Sequence, residues 1–194
     1  MLQQAISLNS SAVRALLRAH GAREDVLDAV LTLYDHVRPA HAMEEPDAAS
    51  DLAEAFRWAE AFDRLLASED GRALLSSYRH AAQILAAAAA RDGKTYEEKP
   101  QPALYRRKEE RELAVAMALC RRETEGALAR GDFGLAMRAV ACLRPFVEAF
   151  MDRVEFQSCV LDLRENRLRL LQELCSVLGL AGDFGKIEER DQAA

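Results

Sequence analysis

LRENRLRLLQEL, residues 163–174, is a leucine-rich stretch that also carries Arg164, Asn166, Arg167 and Arg169. Its leucines recur at helical spacing, roughly 100° per residue. On that wheel Leu161, Leu168, Leu171, Leu174, Cys175 and Leu178 share one arc, extended by Leu163, Leu170 and Val177. Glu165, Asn166, Arg169, Gln172, Glu173 and Ser176 occupy the polar arc, whereas Arg164 and Arg167 fall inside the apolar one. A guanidinium there is either paired as a buried brace or lines a cleft and contacts a phosphate or base directly. Asp152 and Asp162 are the nearest candidate partners in sequence. Arg169 is expected to face water. Arg167→Ala should therefore lower stability, and Arg169→Ala should leave it alone.

The same helical period extends almost throughout the chain, with no alternating strand pattern. Asn9, Ser10 and Ser11 offer N-caps before VRALLRAH, and Gly21 ends that segment. Val26, Leu27, Val30, Leu33, Tyr34 and Val37 line the next helix, and Leu52, Ala55, Phe56, Ala59, Phe62 and Leu66 the one after an acidic break at 38–50. Ser68 and Gly71 mark a corner before a helix over 72–90. The polar, proline-bearing segment 93–102 reads as a linker between a front part, 1–92, and a back part, 103–188. In the back part Leu113, Met117, Cys120, Thr124 and Leu128 follow helical spacing. Asp132 caps a further helix whose apolar face runs through Phe133, Met137, Val140, Leu143, Val147, Phe150 and Val154. Pro145 inside that pattern predicts a kink or a restart. The fold expected is all-α, about seven helices.

The chemistry of catalysis is missing from this pattern. There is no glycine-rich phosphate loop, HExxH or GxSxG. His20, His36, His41 and His80 are isolated, and the carboxylates of 44–54 and 108–112 read as solvated helix faces. Cys120, Cys142, Cys159 and Cys175 never form CxxC and read as reduced, partly buried thiols, which suits the cytosol. No apolar run is long enough to span a bilayer. The net charge of -6 argues against an autonomous nucleic-acid binder while leaving room for a local basic face. Arg106, Arg107, Lys108 and Arg111 form one basic cluster, interleaved with Glu109, Glu110 and Glu112. It reads as a salt-bridged exposed helix start. Cations at a helix N-terminus oppose the macrodipole, which leaves an external anionic partner as the other reading.

FMDRVEFQSCVLDLRENRLRLL, 150–171, resembles the signature of the helical anticodon-binding domain named for its D-A-L-R motif, close to FFDxVxVxxxDxxxRxNRLxLL. Phe150, Asp152, Val154, Arg164, Asn166, Arg167, Leu168, Leu170 and Leu171 match it without a gap, and LRPFVEAF just before is similar to LxxPVDAFF. GAREDVLDAV (21–30), LLASEDGRALLSSYRHAAQILAA (65–87) and GDFGKIEE (182–189) resemble the C-terminal region of the beta subunit of bacterial heterotetrameric glycyl-tRNA synthetase. The sequence departs from the pattern at Val160, where the signature is acidic, at the joint EFQSCV, and at Tyr78 and Gln83, where the family has Lys and Asn.

The resemblance implies a C-terminal fragment, with Met1 an artificial or alternative start and further domains, including an HD-type domain, lying ahead of it. It implies binding of tRNA(Gly) on the anticodon side, in support of ATP-dependent glycine attachment by the separate alpha subunit. ATP and magnesium would bind on that other subunit, so no cofactor, metal or catalytic residue is expected here. Arg72, Arg79, Arg153, Arg169 and Lys186 are the expected phosphate contacts. Asp152, Arg164, Asn166 and Arg167 form the signature brace, in possible contact with tRNA. The rival readings are the equivalent domain of arginyl-tRNA synthetase and a helical interaction scaffold that has lost tRNA binding.

Overall fold

The computed structural model describes residues 23–37, 48–156 and 160–188, with Ala15, Arg18, Ala19 and Gly21 besides. Within them lie seven α-helices and no strand: α1 (Glu24–Val37), α2 (Ala48–Ala67), α3 (Glu69–Asp92), α4 (Lys108–Leu128), α5 (Phe133–Ala141), α6 (Arg144–Arg153) and α7 (Leu161–Leu178). Short 3₁₀ turns at Pro102–Leu104 and Phe184–Lys186 complete the set. The expected caps before residue 13 lie outside the described residues. No helix among those described is long and apolar enough to cross a membrane.

Local chemistry sets the helix ends. Ser68 separates α2 from α3: its Oγ donates to Leu65 O at 2.6 Å and accepts from Gly71 N at 3.0 Å. The turn is so tight that a Cβ on Gly71 would lie 1.8 Å from Leu65 O, which only glycine avoids. Helix α3 therefore starts three residues ahead of the expected Arg72, and it ends on Gly93 at φ 65°. Asp132 caps α5 by accepting from Leu135 N at 2.9 Å. Pro145 produces a restart rather than a kink: it sits in the first turn of α6, where its missing N–H has no acceptor to lose.

One hydrophobic cluster runs from α1 through the closing turn. Helix α4 packs on α5, α6 and α7, while α3 packs on α2, α6 and α7. The seven apolar positions expected from Phe133 to Val154 are all buried, as are Leu113, Met117, Cys120, Thr124 and Leu128. Trp58, outside the expected stripe of its helix, is 1% exposed. Its ring stacks on Phe133 at 5.4 Å and its indole N–H donates to Ala181 O at 2.7 Å. That polar end needs a buried acceptor, which a residue distant in sequence supplies. Leu161, placed on the apolar arc by the wheel, is instead 73% exposed at the first turn of α7.

The chain closes against α1. Phe184 is buried against Phe62, ring centroids 5.3 Å apart, and Gly182 lets the backbone pass where a Cβ would come within 2.5 Å of the Phe62 ring. Asp183 N donates to Ala29 O at 3.1 Å. The segment 93–102, expected as a linker, lies along α7. Tyr96 is buried there, Lys94 Nζ reaches Glu165 at 2.8 Å, and Glu98 reaches Arg169 at 2.5 Å.

Candidate functional site: the polar face of the last helix

Helix α7 presents Arg164, Asn166 and Arg167 inward, each at least nine-tenths buried. Arg167 Nε donates to Glu110 Oε1 at 2.9 Å and its Nη1 to Glu155 O at 2.8 Å. Arg164 Nη1 donates to Asp92 Oδ2 at 2.6 Å. The brace is present, but its partners are not the nearest carboxylates. Asp152 is exposed and makes no described contact with either arginine, and Asp162 is exposed at the start of α7. The real partners come from the ends of α3 and α4, tens of positions away, because helix packing rather than sequence proximity brings carboxylates to α7.

Asn166 overturns the wheel. The wheel places it on the polar arc, yet it is 1% exposed. Its Oδ1 accepts from Gln101 N at 2.6 Å and its Nδ2 donates to Gln101 O at 3.1 Å. One amide thus satisfies both main-chain groups of a residue in the 93–102 segment, standing in for a neighbouring strand.

In the basic run at 106–111 the four cations, Arg106, Arg107, Lys108 and Arg111, are exposed as expected, whereas two of the interleaved carboxylates are not. Glu109 and Glu110 are 6% and 1% exposed. Glu110 Oε2 accepts from Arg106 N at 2.7 Å and Arg107 N at 2.6 Å, the reach of a third-position Glu back to the cap. With Arg167 on its other oxygen, Glu110 ties the first turn of α4 to α7. The signal was legible: a Glu three residues after the cap position is a capping signature, even though Arg107 is no usual cap. Glu109 is held below the ordinary carboxylate value by its own backbone amide and by Arg153.

A second cluster surrounds Asp92. Its carboxylate accepts from Arg164, from the Tyr96 hydroxyl and from Arg91 Nε. The Tyr96 bond, with Arg91 behind it, draws its pKa below the ordinary value. Burial, with Asp92 adding to it, pushes the Tyr96 phenol up to about 12. Arg144 was also missed. It joins the first turn of α6 to that of α3 through Asp70 at 2.9 Å and Glu69 at 2.8 Å, and pairs with Glu148 of its own helix at 2.8 Å. Three carboxylates offset a cation placed at a helix N-terminus and raise the Arg144 pKa.

The five expected phosphate contacts do not share one state. Arg72 is exposed, its Nη1 on Ala67 O at 3.0 Å, and the Arg153 side chain is 64% exposed, 3.4 Å from Glu109. Arg79 is half-buried and donates to Ile187 O at 2.9 Å. Lys186 Nζ bonds Thr32 Oγ1 at 2.5 Å and Asp28 O at 3.2 Å. Arg169 does not point to water: its side chain is 14% exposed and pairs with Glu98 and Glu165 at 2.5 and 3.0 Å. Cys120 is buried, Cys175 half-buried and Cys142 exposed, all as free thiols, while Cys159 lies outside the described residues. Among the described residues no three His, Cys, Asp or Glu side chains gather to hold a metal.

No protein-family model matches the chain. Among characterised proteins it is 34% identical over 184 residues to the glycine--tRNA ligase beta subunit of Rhodospirillum centenum, covering 94% of this chain and 24% of that protein. The beta subunit from Paracoccus denitrificans is 34% identical over 172 residues, covering 89% of this chain and 23% of its own. That from Cereibacter sphaeroides is 31% identical over 186 residues, covering 96% and 25%. Nearly the whole chain is therefore similar to part of glycine--tRNA ligase beta subunits, and it spans about a quarter of their length.

Proposed function

We propose that this chain is the tRNA-binding, anticodon-side part of a glycine--tRNA ligase beta subunit. In this reading it grips tRNA(Gly) while an alpha subunit, which holds ATP and magnesium, attaches glycine. The residue range 103–188 is the anticodon-binding bundle and 1–92 the helical region ahead of it. The observation that carries the reading is the similarity to beta subunits along 94% of the chain. That similarity takes in the front helices α1 to α3, which favours this reading over the arginyl-type alternative.

The packing supports a division of labour within the proposed site. Arg164, Asn166 and Arg167 hold the scaffold, and exposed cations meet the phosphates. Arg72 and Arg153 are the best placed, since both are exposed, Arg72 on Ala67 O and Arg153 on a long 3.4 Å contact with Glu109. Binding of tRNA(Gly) to the 194-residue chain, followed against salt concentration, tests this. Affinity should fall log-linearly with salt, and Arg72→Ala and Arg153→Ala should each lower the slope by about one. Absent binding at low salt, or a flat salt profile, leaves the helical scaffold as the surviving reading.

A further inference from the structure

Helices α4, α5 and α6 border an open apolar groove of about 390 Å³, with Val115, Leu119 and Phe146 along it. Three of the five large apolar side chains that stand exposed among the described residues are thus gathered at one place, Val115 at 70%. Such side chains are ordinary singly, whereas a group around a groove marks a contact surface. The charges that flank the group on α4 say what it fits. Glu112, Val115, Leu119 and Arg122 are all exposed and follow the alternating three- and four-residue spacing of a helix–helix seam. Met117, 1% exposed, marks the centre of the opposite, inward face of α4. Val115 and Leu119 lie two residues to either side of it, Glu112 and Arg122 five, and Lys108 and Gly126 nine. The outer face is therefore an apolar centre between opposite charges at equal distances. Arg122 has no ion pair among the described residues, and Glu112 has only a 3.9 Å approach to Lys108.

We infer that this face receives a second copy of the chain, with α4 laid antiparallel on α4 about a two-fold axis level with Met117. A two-fold interface is self-complementary: where one position meets another, the second meets the first. The axis brings Val115 of each copy to Leu119 of the other and Glu112 of each to Arg122 of the other. Four positions thus supply two apolar contacts and two ion pairs. Lys108 then lies over Gly126, where no side chain obstructs its stem. Phe146 flanks the seam from α6 and widens its apolar area. The apolar contacts drive the association, and the exposed ion pairs fix its direction and register. A parallel pair sets Glu112 on Glu112 and Arg122 on Arg122, and an antiparallel pair slipped by one turn loses both ion pairs. The order that complements this face is arginine, two apolar residues, then glutamate, and α4 read backwards supplies it. This association is independent of the tRNA-binding reading.

Sedimentation equilibrium of the full chain, from micromolar to submillimolar concentration, tests this. The mass should rise to twice the chain mass of 21.6 kDa. Leu119→Lys should leave a monomer of unchanged melting temperature, because the position is exposed. Glu112→Arg sets arginine against arginine at both ends of the seam, and Arg122→Glu sets glutamate against glutamate. Each should raise the dissociation constant about tenfold. Mixed in equal amounts, these two variants should pair with each other at the unsubstituted affinity, since each carries the charge that the other lacks. The variant with both substitutions should dimerise by itself for the same reason. A chain that stays monomeric throughout overturns the inference and leaves the face to a different partner. A dimer indifferent to Leu119→Lys or to the charge reversals overturns it too, as does a mixture of the two single variants that gains no affinity.

Discussion

Arg167 Nε lies 2.9 Å from Glu110 Oε1, with the two side chains 9% and 1% exposed. Glu110 spends its second oxygen on the amides of Arg106 and Arg107, so one carboxylate serves both an ion pair and a helix start. Breaking a buried pair from one side strands a charge, which costs more than the pair contributes. Arg167→Ala should therefore destabilise by about 3 kcal/mol in denaturant unfolding. Arg169→Ala, whose partner Glu98 is 77% exposed, should cost at most about 1 kcal/mol. Equal losses would remove the distinction between the two arginines.

Asn166 makes its own prediction. Replacing it by Ala leaves Gln101 N and O without their partners in a half-buried setting, for about 1–2 kcal/mol. Asn166→Asp keeps an acceptor for Gln101 N but sets a carboxylate oxygen against Gln101 O, and should be the worse of the two. Hydrogen exchange at the Gln101 amide reads the local effect: it should quicken strongly in Asn166→Ala and little in Arg169→Ala.

The carboxylate shifts set the acid limit. Asp92 is held low by Tyr96 and Arg91, Glu165 by Lys94 and then Arg169, and Glu109 by its own amide and Arg153. Each binds its proton more weakly folded than unfolded. Their stabilisation is present above the unfolded values, 3.8 for Asp and 4.5 for Glu, and is lost as pH falls through the lower folded ones. Tyr96 acts in the opposite sense. Its phenol is raised from 10.0 to about 12, so its contribution is complete below pH 10.0 and vanishes as pH rises through about 12. Melting temperatures across pH should show both arms, and Tyr96→Phe should flatten the alkaline one.

Thiol chemistry separates the cysteines. Burial pushes Cys120 and Cys175 up to about 11, so few thiolates exist at neutral pH. Cys142 is exposed on the surface between α5 and α6. Site-resolved alkylation of the folded chain should mark Cys142 well before Cys120 and Cys175. Comparable rates at all three would contradict the packing around α4 and α7.

Sequence alone determined the all-helical fold, the Asp132 cap, a break at Pro145 and the inward turn of Arg164 and Arg167. Each is a local matter: helical period, a side chain bonding three residues on, or a ring without an N–H. Whom the arginines meet was decided only by tertiary structure. Asp92 and Glu110 lie 72 and 57 positions from their partners, and packing of α3 and α4 on α7 delivers them. The same packing buried Asn166 against Gln101 and Trp58 against Phe133, and drew Arg169 out of water into the 93–102 segment. A helical wheel orders one helix about its own axis. It carries no record of a second chain segment laid along the polar arc, and here that segment turns apparent surface into interior.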